Sequence, residues 1–292
     1  MRSKTGRTAA LALLALAEAL AAGCGGAPPA RSPAYRLQED LARSGGKAWA
    51  KGDLQGAIAS EERALVVARS VEDEEGIALR ILDIAALRRA AGQPAEAWAA
   101  LAELLDQPPA LPYPDRLRAE AARIAGLLAL DAGNAVEGAR WAGRARELCS
   151  ASRCGREGAL LNLRARAAFV AGEHGEALRL AREAGALNRE AKDDAERANS
   201  LRIGADAALA LGRPGDAAEA YAAALEIDKR LGLAGKVYLD LLGLGRAAQD
   251  GGRAAEARGW YERARAAARA AGADAAEAEA LLSGVSPPSS RP

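Results

Sequence analysis

Few side chains in this 292-residue chain can do covalent or metal chemistry: three cysteines, Cys24, Cys149 and Cys154, and a single histidine, His174. A cysteine nucleophile needs a base beside it, and a closed zinc site needs two further donors beside a thiol pair. His174 stands just after Gly172 and Glu173 and close to Glu176, a setting that reads as an exposed turn. Cys149 and Cys154 therefore leave three readings open: a disulfide, two free thiols, or half of a metal site. No glycine-rich phosphate loop ending in Lys-Ser or Lys-Thr occurs, nor a serine elbow or an HExxH pair. Gly243, Gly245 and Ala248 imitate a dinucleotide fingerprint, but no strand precedes them and their surroundings have helical spacing. The four tryptophans, Trp49, Trp98, Trp141 and Trp260, fall at helical positions in different stretches and read as packing wedges. Recognition is the chemistry that remains, and the expectation is a protein that is not an enzyme and holds neither cofactor nor metal.

The elements that would position a recognition surface announce themselves by repetition. Gly52, Gly92, Gly133, Gly172, Gly212 and Gly252 follow one another at intervals of 40, 41, 39, 40 and 40 residues. Seven positions before each glycine stands a small residue (Gly45, Ala85, Gly126, Ala165, Ala205, Gly245), and five after it another (Ala57, Ala97, Gly138, Ala177, Ala217, Ala257). A repeat of this length with apolar residues at helical spacing predicts a stack of helix pairs, the glycine turning the chain and the small columns letting helices touch. Composition agrees: half of the residues are hydrophobic, 3% are aromatic and one is Phe. Ala, Leu, Arg and Glu favour helix, and no stretch alternates like a strand. First helices are expected near 36–51, 75–91, 115–132, 157–171, 194–211 and 236–251. Second helices are expected near 54–71, 94–106, 135–149, 174–190, 214–230 and 253–271, with caps at Asp53 and Asn134 and first-turn prolines at Pro94 and Pro214. The proline-rich segment 107–114 predicts a rigid loop, and 273–283 a short closing helix. Glu61, where an apolar residue is expected, and the helix-weakening Gly45-Gly46 make the first unit the least regular.

These columns resemble the tetratricopeptide repeat. The fifth unit shows it in Leu201, Ala205, Gly212, Ala217, Tyr221 and Ala224, and the sixth in Leu241, Gly245, Gly252, Ala257, Tyr261 and Ala264. The resemblance covers about 36–272 and implies an all-α fold, an α-solenoid of about six antiparallel helix pairs wound as a right-handed superhelix. A period near 40 and the missing unit-closing proline depart from the family and imply longer helices, similar to those of motor light chains and some bacterial regulators. In that family the first helices line a concave face that holds peptides or C-terminal carboxylates. Carried over position by position, the groove would be lined by Arg123, Asn162, Arg166, Asn199, Arg202, Asp206 and Arg246. Asn can bond a peptide backbone through both ends of its amide, and Arg offers a planar fork to a carboxylate, so the mixture suits an extended acidic or C-terminal segment. The alternative is a merely solvated polar face. On the groove reading, Asn162 and Arg202 can be replaced without unfolding the array.

At the N-terminus, Arg2, Lys4 and Arg7 precede an apolar run from Thr8 to Ala22 that ends in Gly23-Cys24. The run reads as an export signal, too short for a comfortable membrane span. It resembles a bacterial lipoprotein precursor, with Ala21-Ala22-Gly23-Cys24 as lipobox, although the leucine preferred three residues before the cysteine is here one place early, at Leu20. The resemblance implies a signal peptide over 1–23, acylation of Cys24 as the new N-terminus, a flexible tether over 24–35, the solenoid over 36–283 and a disordered tail over 284–292. Cleavage after Ala21 is the rival. With Cys24 acylated, Cys149 and Cys154 remain as a pair in an oxidising compartment, so a disulfide stapling the loop between two units is expected. Gly25 after the lipidated cysteine implies the outer membrane, facing the periplasm.

The net charge of +1 and the interleaving of Arg with Glu and Asp give no nucleic-acid footprint. The leading expectation is thus a lipid-anchored envelope scaffold that binds a protein or peptide partner in its groove. The alternatives are an assembly factor resembling the six-repeat pilotin lipoproteins, whose repeat count agrees but whose period does not, or the accessory subunit of an envelope enzyme or transporter.

Overall fold

The computed structural model describes residues 32–106 and 112–285. Among them the chain forms thirteen helices and no strand: α1 (Pro33–Ala50), α2 (Leu54–Ser70), α3 (Glu74–Ala90), α4 (Pro94–Leu105), α5 (Asp115–Asp131), α6 (Ala135–Ser152), α7 (Glu157–Val170), α8 (His174–Glu190), α9 (Asp194–Ala210), α10 (Pro214–Leu231), α11 (Ala234–Asp250), α12 (Ala254–Ala270) and the closing α13 (Ala276–Gly284). The odd-numbered helices up to α11 are the first helices of six units. The signal peptide, Cys24, most of the tether, the core of the proline loop and residues 286–292 of the tail lie outside the described residues, whereas Gly284, read as tail, ends α13. One boundary is corrected: the helix starts at Pro33, inside the stretch read as tether, because the Ser32 side chain accepts the Tyr35 amide and Pro33 suits a first turn.

All six marker glycines take φ between 69° and 81°, the left-handed conformation that costs a residue with a β-carbon about 1–2 kcal/mol. Twenty residues further on, a second left-handed residue turns the chain into the next unit: Glu72, Arg153, Lys192, Gly232 and Gly272. Two helices of 17 residues, such as α2 and α3, with two three-residue turns fill the repeat, which is why its period is near 40. Asp53 and Asn134 cap α2 and α6 as expected, and Asp73 and Asp193 cap α3 and α9, each accepting the amide of the third residue on.

The small columns are where helices cross. Ala57, Ala85, Ala97, Ala165, Ala177, Ala205, Ala217 and Ala257 are fully buried. A β-carbon added at Gly126 would come within 2.7 Å of Leu163, at Gly138 within 2.3 Å of Leu130, and at Gly245 within 2.2 Å of the Tyr261 ring. Gly243 has the same relation to the Tyr221 ring, so the false dinucleotide fingerprint is a pair of notches for two tyrosines. Neighbouring first helices from α3 to α11 touch one another, while successive second helices make no comparable contact. The first helices therefore lie on the inside of the curve. Where the proline loop re-enters, Tyr113 is buried and its hydroxyl donates to Glu103, anchoring the connection between α4 and α5.

Candidate functional site

On the inside of the curve, α5, α7, α9 and α11 with the end of α3 enclose an open cavity of about 520 Å³. Spacings of three and four residues put Asn162 and Arg166 on one face of α7, and Asn199, Arg202 and Asp206 on one face of α9. Six of the seven expected groove residues line this cavity: Arg123, Asn162, Arg166, Asn199, Arg202 and Asp206. Arg246 does not; it pairs with Glu277 on α13, which closes the last unit. The apolar part of the wall comes from Leu127, Leu163, Phe169, Val170, Ile203 and Leu239.

Much of the polar equipment is already engaged within the array. Asn162 is buried, and its amide donates to the Glu196 backbone carbonyl at 2.9 Å while accepting from the Ser200 hydroxyl at 2.7 Å. Asn188 of α8 donates to the same hydroxyl, so three helices meet in one hydrogen-bonded chain. The Arg202 guanidinium donates to Asn199 and, through one nitrogen, to both Asp228 and Asp240. Both carboxylates are completely buried, and each keeps one oxygen, Asp228 Oδ1 and Asp240 Oδ2, without a partner among the described residues. Asn162 and Arg202 are therefore ties between units, and the expectation that they can be removed without harm to the array is corrected: the loss would orphan buried polar groups.

The remaining residues face the cavity more freely. Arg123 grips Glu120 with a bidentate pair. Burial would raise the Glu120 carboxyl, but Arg123 outweighs it and holds it below its ordinary value. Asp131 is shared between Arg89 at 2.6 Å and Arg166 at 2.9 Å, linking three units through one carboxylate. Asp206 accepts from the Tyr221 hydroxyl, and burial raises its carboxyl. Lys236 of α11 has no ion-pair partner among the described residues; solvent reaches it, yet the surrounding wall, and then Arg202, lower its ammonium.

Five cations, Arg89, Arg123, Arg166, Arg202 and Lys236, and two carboxylates, Glu196 and Asp206, face the cavity. The acids that pair with the arginines, Glu120, Asp131, Asp228 and Asp240, are not among the lining residues, so the cavity surface itself carries more cations than carboxylates. Arg89, Glu196 and Lys236 were missing from the sequence-based set. Lys236 had one available signal, its place one turn before Asp240 on the same helix.

The structure joins Cys149 to Cys154, their α-carbons 4.8 Å apart. Cys149 does not end its helix as expected. The helix continues to Ser152, and left-handed Arg153 turns the chain so that the bridge spans the last turn and the start of the next unit. Among the described residues no group of three His, Cys, Asp or Glu side chains could hold a metal ion. His174 opens α8 half-buried, its ring 5.2 Å from that of Phe169, and is less exposed than expected. Trp98 and Trp141 pack on each other with centroids 5.9 Å apart, and Arg263 covers Trp260.

No protein-family model matches the sequence, and no curated protein matches it. Among solved structures, a Rap protein complexed with competence and sporulation factor superposes with a TM-score of 0.62 at 15% identity, over 85% of this chain and 71% of that one. A STAND signal-transduction ATPase with a tetratricopeptide-repeat sensor, from Pyrococcus horikoshii, gives 0.62 at 15% identity over 86% of this chain and 38% of that one. BtubC from P. vanneervenii gives 0.53 at 15% identity over 90% and 97%. At such identities the likeness concerns the fold, and that fold is an α-solenoid of tetratricopeptide-like helical repeats.

Proposed function

We propose that the chain is a non-enzymatic scaffold, lipid-anchored through Cys24 at the cell envelope, that holds an extended, acidic segment of a protein partner along its first helices. The observation that carries this reading is the cavity itself: an apolar wall lined by five cations against two carboxylates, on the inside of a stacked array. An extended segment can lay apolar side chains against Phe169, Val170 and Leu239 while its carboxylates meet Arg166 and Lys236. That one solved relative in fold is complexed with a competence and sporulation factor supports a binding role for such a surface.

Two experiments test the two halves. Fluorescence anisotropy with a labelled aspartate-rich peptide should show saturable binding, about tenfold weaker when Arg166→Glu and Lys236→Glu are combined, because both reversals oppose the ligand's charge. Unchanged binding by that variant would remove the cavity from the account. Cell fractionation should place the protein with membranes and release it on Cys24→Ser; a Cys24→Ser protein that still pellets with membranes contradicts lipid anchoring.

A further inference from the structure

The first unit contains a second opening on the same inner face, and its chemistry is the reverse of the main cavity. α1 and α3 lack the close contact made by the later first helices, and a cavity of about 370 Å³ lies between them. Ala42, Gly45 and Gly46 on one side and Ala86 and Leu87 on the other give it small, apolar walls. Gly45 leaves room for the Glu61 carboxylate, since a β-carbon would come within 2.6 Å of Glu61 Oε1 and displace it. Glu61, in a position where an apolar residue was expected, is buried beneath this opening and receives Arg80 at 2.7 Å. Arg80 also reaches Asp83, at 3.2 Å, so one guanidinium serves two carboxylates. Burial raises both acids above their ordinary values in spite of the single guanidinium that serves them. The Arg80 Nε–H is itself buried with no acceptor among the described residues.

Trp49 stands at the edge of this cavity, 50% exposed, and has no ring or cation partner among the described residues. The other three tryptophans are half-buried, so the packing role expected of all four does not extend to Trp49. A half-exposed indole beside two carboxylates sharing one guanidinium, over walls too small to fill the space, suits an apolar stem ending in positive charge.

We propose that the opening between α1 and α3 is a binding site for a basic side chain, lysine or arginine, with Trp49 covering its stem and Glu61 and Asp83 receiving its charge. The source of that side chain rests on the reading above, that a partner lies along the first helices. The partner segment then carries a basic residue toward units one and two and acidic residues toward units three to six.

The test uses small probes, so that it stands apart from the acidic-peptide experiment. The mature chain, labelled selectively at tryptophan, gives four indole N–H signals in a two-dimensional NMR spectrum, and Trp49→Phe identifies that of Trp49. Titration with n-butylammonium or n-butylguanidinium chloride should shift the Trp49 signal saturably and leave those of Trp98 and Trp141 in place, and n-butanol should not. Asp83→Asn, whose side chain is 49% exposed and outside the core, should weaken the apparent affinity about threefold or more, with unmoved Trp98 and Trp141 signals as proof of fold. The absence of a saturable shift with both cations, an equal response to n-butanol, or an unchanged affinity in Asp83→Asn would overturn the proposal while leaving acidic-peptide binding at the main cavity standing.

Discussion

Asp228 and Asp240 approach the same nitrogen of Arg202, each with its second oxygen without a partner among the described residues, an arrangement that favours a protonated Asp240 able to donate the missing hydrogen bond. Burial pushes the Asp240 carboxyl up to about 7; Arg202 opposes the rise and Asp228 adds to it. The sign of the pH dependence follows. Unfolded, Asp240 releases its proton near the ordinary value of 3.8, whereas folded it keeps the proton to about 7, so this group's stabilising effect is full below pH 4 and is lost as pH rises through 7. Asp240→Asn keeps the shape and removes the titration. Its stability by urea denaturation should vary less between pH 4 and pH 8 than that of the unaltered protein, by on the order of 2 kcal/mol. An equal slope for both proteins would show that the pair is not protonated. The sequence did not reveal this site because its partners lie 26 and 38 residues from Arg202, on helices that meet only in the folded stack. Asn162 was visible as a first-helix residue for the same reason that its role was not: spacing gives the face, and the contact at Glu196 comes from the next unit.

At the scale of the element, the sequence disclosed one of the two turns in each unit. The turn inside a unit always uses glycine and was legible as a 40-residue period, whereas the turn between units uses Glu72, Arg153 or Lys192 as readily as Gly232 or Gly272. A left-handed lysine leaves no compositional trace, so the equal spacing of all turns stayed hidden. The same geometry yields a prediction. Lys192 is exposed with φ of 58°, and Lys192→Gly removes the β-carbon from that strained region, so the melting temperature should rise by a few degrees, corresponding to about 0.5–1 kcal/mol. A lowered melting temperature would mean that the lysine's contacts outweigh its backbone strain. Helix starts were legible where a side chain announces them, as at Asp53, Pro94, Asn134 and Pro214. The first unit was harder to read, because Gly45-Gly46 and Glu61 look like defects until Glu61 is seen to need the space Gly45 leaves.

Across the whole molecule, the array separates its tasks by face. Small residues lock first and second helices together, second helices carry exposed charge and isolated apolar residues such as Val66, and first helices line the cavities. The helix-pair stack could be read from three columns of small residues, since close packing of helices leaves a periodic signature, and its inner face followed from the resemblance to the tetratricopeptide repeat. Which inner side chains remain available could not, because availability depends on partners one unit away. The central claim is that the inner face receives a protein partner, and site-specific photocrosslinking in intact cells tests it most directly. A benzophenone amino acid in place of Leu239, 44% exposed in the main cavity, should capture a discrete partner, and capture should be lost when Arg166→Glu and Lys236→Glu are added; the same probe in place of Val66, 68% exposed on α2, should capture none. Equal capture from Val66, or capture at Leu239 that survives both charge reversals, would contradict the account.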